Sequence, residues 1–149
     1  MIYTELTKKA LRVCFDAHKD QVDKTGMPYV FHPFHLAEQM LDEMTTVCAL
    51  LHDVVEDTDC TFEDLENMGF PDEAIDALKK LTHAEGVDYM DYVREISGNP
   101  IARSVKIADL RHNSDLSRMD KDMIDGYVLK RCEKYKAALE LLTAASENC

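Results

Sequence analysis

Leu50-Leu51-His52-Asp53-Val54-Val55-Glu56-Asp57-Thr58 sets an adjacent His-Asp pair, and an adjacent Glu-Asp pair one helical turn later, inside an apolar run. Ionisable side chains are rarely fully buried unless they are paired or bound to a metal. Four of them within six positions of an apolar helix therefore require a shared cation or a shared reaction. His52 and Glu56 are four apart, as are Asp53 and Asp57, so one helix can turn all four to one side. The stretch predicts a buried helix carrying a metal site with an acid/base pair beside it.

Working outward, the periodicity is helical throughout and no alternating strand stands out. Ile2, Leu6, Ala10, Val13, Cys14 and Ala17 share one helical face. Asp20 to Phe31, with Gly26 and Pro28, reads as a loop. Pro33 suits a first helical turn, with Phe34, Ala37, Met40 and Leu41 expected inward. Thr45 or Thr46 is placed to cap the helix bearing Val47, Cys48, Leu50, Leu51, Val54 and Val55. Thr61 with Asp64 forms a capping box for a short helix closed by Gly69. Further helices are expected over Pro71 to Leu81, about Asp88 to Ile96, from Asn99-Pro100 through Asp109 and Asn113, and from about Lys121 to Ala145. The expected fold is all-α: a single domain over residues 1–149, with seven or eight helices around one core.

Composition narrows the function. An apolar fraction of 46% and a charged fraction of 31% fit an ordinary globular domain, and no apolar run is long enough to cross a membrane. The N-terminus lacks the layout of a secretory signal, and the five cysteines include no CxxC pair, so a reducing cytoplasm is expected. A net charge of −12 argues against nucleic acid as a partner, because that binding rests on Lys and Arg meeting phosphates. It does not exclude a small phosphorylated ligand, since a bound divalent cation inverts the local field.

Ligands of the metal-binding type stand in three separated places: His32, the pair His52-Asp53, and Asp109. Two imidazoles and two carboxylates without a thiolate suit Mn, Fe or Zn in a catalytic rather than a structural role. Such an ion polarises a phosphoryl oxygen and acidifies a water, and Glu56 and Asp57 lie one turn away to take or orient its proton.

His32-Pro33, then His52 through Thr58, then Lys106-Ile107-Ala108-Asp109-Leu110-Arg111-His112-Asn113 resemble the three signatures of the HD-domain metal-dependent phosphohydrolases. Gly26-Met27-Pro28-Tyr29 before His32-Pro33, and the full Leu50–Thr58 element, resemble the (p)ppGpp hydrolase domain of the RelA/SpoT family, including its small stand-alone members. The likeness runs from about Ala10 to Leu116. It implies an HD-domain fold, with His32, His52, Asp53 and Asp109 as metal ligands and manganese as the usual ion. It also implies that Glu56 and Asp57 handle the attacking water, and that Lys24 and Asn113 contact the nucleotide. The implied reaction removes the 3′-pyrophosphate of guanosine 3′,5′-bis(diphosphate), with no synthetase activity, since the chain ends where that domain would begin.

Two departures bear on the substrate. The family loop carries two consecutive basic residues before its glycine, whereas here Asp23 stands in the first position, where it cannot stack on a base and would repel phosphate. The segment between Thr82 and Asn99 is also shorter than in long family members. Two alternatives therefore stand beside the main expectation: hydrolysis of another nucleotide or phosphorylated cofactor, and a nucleotide-sensing module without turnover. His18, His35, His83 and His112 are expected in packing, surface or other structural roles, and Arg103, Lys106 and Arg111 in helix-surface ion pairs.

Overall fold

Helix α3 (Glu43–Leu51) is the axis of the fold, with seven of its nine residues buried. The structure is a computed structural model that describes residues 1–148. Four helices lie against α3: α1 (Glu5–His18), α2 (Phe31–Glu38), α6 (Asp72–Leu81) and α8 (Pro100–Asn113). Because α3 is enclosed on several sides, its sequence is apolar all round rather than striped. Val47, Cys48, Ala49 and Leu50 are all fully buried. By contrast α6, which has one outer face, is strongly amphipathic, with Ala74, Ile75, Ala77, Leu78 and Leu81 turned inward.

α7 (Tyr89–Ser97) and α8 pack against the long C-terminal helix α9 (Gly126–Glu147). α5 (Phe62–Asn67) covers one end of α6. Short 3₁₀ turns at Leu116–Arg118 and Lys121–Met123 connect α8 to α9. Among the described residues there is no strand, only an isolated bridge between Val22 and Pro28. The all-α expectation holds.

Local chemistry explains most of the boundaries. Thr61 and Asp64 close a reciprocal capping box on α5, and Gly69, at φ +93°, takes the left-handed conformation after that helix. Asn99 accepts from Ala102 N ahead of Pro100, as the Asn-Pro pair predicts. The cap of α3 is a correction. Asp42, not Thr45 or Thr46, accepts from Thr45 N, and both threonines are buried inside the helix. The Thr46 hydroxyl bonds back to Asp42 O at 2.7 Å.

Other expectations change too. α9 begins at Gly126, after an Asp125 cap, rather than at Lys121. Leu41 is 91% exposed beyond the end of α2, and Phe34 is also exposed. The inward face of α2 is instead His32, Pro33, Leu36 and Ala37.

The largest correction falls on the opening stretch. α3 stops at Leu51, and a separate single turn, α4 (Val54–Asp57), starts after it. Asp53, at φ −107° and ψ 0°, lies in the sparsely populated bridge region where many active-site residues sit. His52 and Asp53 thus occupy a break between two helices, so the four ionisable groups do not share one helical face. The free thiols Cys14 and Cys48 are buried as expected of small core residues, while Cys149 lies outside the described residues.

Candidate metal centre and active site

His32 is presented by the first turn of α2, His52 by the end of α3, and Asp109 by the middle of α8. All three are buried, and one ligand atom from each lies within 4.8 Å of the other two. His32 Nε2 is 2.9 Å from Asp109 Oδ1, and His52 Nε2 is 3.7 Å from the same oxygen. Asp53, the fourth expected ligand, stands at the edge of this group. Its Oδ2 is 3.0 Å from His52 Nε2 and accepts a hydrogen bond from the Tyr29 hydroxyl.

The fit to a cation can be tested at His52. Nδ1 faces Ala49 O at 2.7 Å and must donate to it, which leaves the lone pair on Nε2. That nitrogen is buried, has no aligned hydrogen-bond partner, and faces carboxylate oxygens of Asp53 and Asp109. Acceptor against acceptor in a dry site is unfavourable unless a cation lies between them. Without one, a proton takes that place. Burial would lower the basicity of His52, but Asp53 and Asp109 overcome it and raise its pKa well above the ordinary value. Against the same opposition from burial, His52 holds the Asp53 carboxyl down at about 2. Lys106, His32 and His52 hold Asp109 well below the carboxylate range.

The groups behind these ligands stand within the motifs, but none of them is expected from the sequence to hold a ligand in place. Lys106 Nζ is 2.8 Å from Asp109 Oδ2, and Asn113 Nδ2 donates to Oδ1 at 2.9 Å, so both carboxylate oxygens are oriented. Lys106 therefore forms a nearly buried pair with a metal-type ligand rather than a surface one. Positions 106, 109 and 113 share one face of α8, and that periodicity is the signal that could have found it. Tyr29 fixes Asp53 and lies against the rings of His18 and His32.

His112, also expected in a structural role, meets His32 Nδ1 at 2.7 Å through its own Nδ1. With His32 Nε2 turned to Asp109, the proton belongs on His32 Nδ1 and His112 must accept. Burial, then Arg118 and the neighbouring imidazoles, push His112 down to about 4, which keeps it neutral for that task. His112→Ala is expected to weaken divalent-cation binding by about 10–100-fold in calorimetric titration, and His112→Asn, which keeps an acceptor, by less.

Two cavities lie near this cluster: His52 and Asp109 line the smaller, and Tyr29 and Asn113, which bond to Asp53 and Asp109, line the larger. The larger, of about 540 Å³, is lined by Lys24, Tyr29, Asp57, Asn113, Arg118 and Arg131 among others. The smaller, of about 240 Å³, is lined by Asp53, Glu56 and Asp109 and by Tyr89, Lys106 and Lys134 among others. Glu56 and Asp57 are thus separated. Glu56 Oε1 accepts from His83 N at 2.6 Å, while Asp57 faces the larger cavity. Partial burial first, and then the negative Asp53, push both carboxyls above their usual range.

Asp23 differs from its sequence expectation. It accepts from Thr25 N, Thr25 Oγ1 and Met27 N, and its Oδ2 is 3.4 Å from an Arg118 nitrogen. Its charge is used to shape the loop, and Arg118, which lines the same cavity, brings a guanidinium beside it.

No family model matches the chain. Among curated proteins, it is 32% identical over 120 residues to the bifunctional (p)ppGpp synthase/hydrolase SpoT of Escherichia coli, covering 71% of this chain and 17% of that one. It is 35% identical over 121 residues to a probable GTP pyrophosphokinase of Mycobacterium leprae, covering 72% and 15%. Over 66 residues it is 46% identical to a guanosine-3′,5′-bis(diphosphate) 3′-pyrophosphohydrolase of Vibrio cholerae, covering 42% and 9%. The chain spans less than a fifth of the length of these relatives. Among solved structures, a metazoan ortholog of SpoT described as hydrolysing ppGpp superposes with a TM-score of 0.71 at 24% identity, covering 97% of this chain and 87% of that one.

An all-α bundle that gathers two histidines and an aspartate from three helices into a buried cluster is a protein of the HD-domain class. Within that class the chain belongs to the SpoT/RelA homologues.

Proposed function

We propose that this chain is a divalent-metal-dependent hydrolase that removes the 3′-pyrophosphate of guanosine 3′,5′-bis(diphosphate), and that residues 1–149 make up one HD domain. The observation that carries the proposal is the convergence of His32, His52 and Asp109 in one buried cluster, beside a cavity that His52 and Asp109 line, in a chain similar to proteins named for this reaction. The donor set suits manganese, with iron or zinc as the other candidates, and Asp53 would complete it. A divalent ion bound there would supply polarisation of a phosphoryl oxygen and acidify a water.

The remaining work falls to the chain itself. Asp57 takes the proton of the attacking water, and Glu56, held by His83 N–H, orients it. Lys24 and Asn113 line the side from which the nucleotide enters. Water adds to the phosphorus that bears O3′, the P–O3′ bond breaks, O3′ takes a proton, and pyrophosphate leaves. The partner is a small nucleotide; the net charge of −12 disfavours nucleic acid. No helix of the described residues is long and apolar enough to cross a membrane, and the buried free thiols support a cytoplasmic setting.

Purified protein with manganese and guanosine 3′,5′-bis(diphosphate), the alarmone, is expected to release pyrophosphate, and His52→Ala to abolish the release. No turnover by the metal-loaded wild type would remove the proposal. Asp23 favours a second reading of the same chemistry on another phosphorylated nucleotide, because no loop arginine is present to stack on guanine. A release screen across nucleotides, repeated with Asp23→Arg, separates the two readings.

A further inference from the structure

The smaller cavity beside the metal cluster has a chemistry that the ligands and the water-handling pair do not use. Its volume of about 240 Å³ is below the roughly 300 Å³ at which drug-sized ligand pockets begin, which suits a compact anion better than a whole nucleotide. The Tyr89 hydroxyl is buried with no hydrogen-bond partner. Buried polar groups are normally satisfied, and an orphaned one calls for a ligand or a water.

Lys134 of α9 holds its ammonium 4.0 Å from the centre of the Tyr89 ring and has no acidic partner among the described residues. Lys106 closes the chamber, its charge already engaged by Asp109. The lining also carries Asp53, Glu56 and Asp109, which would reject an anion until a cation is bound among them. Asn113 and Tyr135 line both cavities, and Asn113 donates to Asp109, so the two cavities are neighbours beside the metal-type carboxylates. A molecule with its nucleoside in the larger cavity and its reacting phosphorus at the cluster would direct any further phosphate into the smaller one.

We propose that this chamber is a receptor for the terminal phosphate of the pyrophosphoryl group being removed, and that Lys134 and Tyr89 are its specificity-determining residues. The inference rests on the hydrolase function proposed above and adds the reason for its product. Lys134 and the Tyr89 O–H donate to the outer phosphate, which holds the inner phosphorus at the cluster. A substrate with a single 3′-phosphate leaves both donors unpaired. The chamber thereby selects removal of pyrophosphate over removal of orthophosphate.

The test is calorimetric titration of inorganic pyrophosphate and of orthophosphate into manganese-loaded protein, which needs no turnover. Wild type is expected to prefer pyrophosphate by at least about 10-fold, the ratio that one or two charge-assisted hydrogen bonds supply. Lys134→Met, which keeps an aliphatic stem over the Tyr89 ring, and Tyr89→Phe are each expected to erase most of that preference. Lys130→Ala, a cation of the same helix that does not line the chamber, is expected to keep it. Equal affinity for the two anions in wild type, or an unchanged ratio in both chamber variants, overturns the inference. A retained preference in a protein that fails to hydrolyse the alarmone would overturn the proposed substrate alone. Turnover of the alarmone with an unchanged ratio in the variants would overturn the chamber alone.

Discussion

Asp109→Asn is expected to lose metal binding and turnover together, with pyrophosphate release falling on the order of a thousandfold or more. The substitution keeps the shape of the side chain and removes its charge. Asp109 Oδ1 is the oxygen approached by both His32 and His52, and its carboxylate is the negative group held most firmly ionised in the cluster. A neutral amide can still fill the space and accept a hydrogen bond, but it cannot balance a divalent charge. A readout independent of any substrate is the melting temperature. Wild type should gain about 2.7 kcal/mol of stability at a manganese concentration 100-fold above the dissociation constant, and Asp109→Asn should gain none.

The same change removes the ionic partner of Lys106, whose side chain is only 15% exposed. Leaving one member of a largely buried pair unmatched costs about 3–5 kcal/mol, so the metal-free variant should also melt lower. Adding Lys106→Met should recover much of that stability and none of the metal binding, which separates the structural loss from the functional one. A normal manganese-dependent shift in Asp109→Asn would place the centre elsewhere.

How far the sequence exposes this arrangement depends on the range of the interaction concerned. Helix type and most caps are local, so Thr61-Asp64, Asn99-Pro100 and the stripe of α6 are legible from neighbours within four positions. The three ligand motifs are legible because imidazoles and carboxylates among apolar residues need a reason to be there. The break at His52-Asp53 is not legible: Leu51 to Val55 contains no Gly or Pro, and the helix is interrupted by tertiary demand, not by propensity.

The second layer is hidden for a related reason. His112 and His32 are 80 positions apart, and their bond exists only because α2 and α8 lie side by side. Tyr29 and Asp53 are 24 apart and meet the same way. The role of Asp23 was hidden differently. An acidic residue in a phosphate-facing loop reads as repulsion until its acceptors are seen to be filled by Thr25, Met27 and Arg118.

Asp57→Asn is expected to lower kcat by about 10²–10⁴-fold while leaving the manganese-dependent rise in melting temperature intact. The two acids that follow the His-Asp pair look equivalent in sequence, and their surroundings make them unequal. Glu56 accepts the His83 amide at 2.6 Å, a bond that a glutamine oxygen can still accept, and it lines the smaller chamber. Asp57 opens onto the larger cavity with Tyr29 and Asn113, and its carboxyl, like that of Glu56, is pushed up by partial burial and by Asp53. A carboxylate that binds its proton more tightly than an ordinary aspartate is the better base toward an acidified water. Glu56→Gln should therefore cost less in kcat than Asp57→Asn, because position and hydrogen bond survive and only charge is lost. Steady-state kinetics on both variants, with melting curves at matched manganese, decide the assignment. Equal losses would make the pair act as a unit, and a greater loss at Glu56 would exchange the two roles. A vanished metal shift in Asp57→Asn would mean that this carboxylate helps to hold the ion rather than to move the proton.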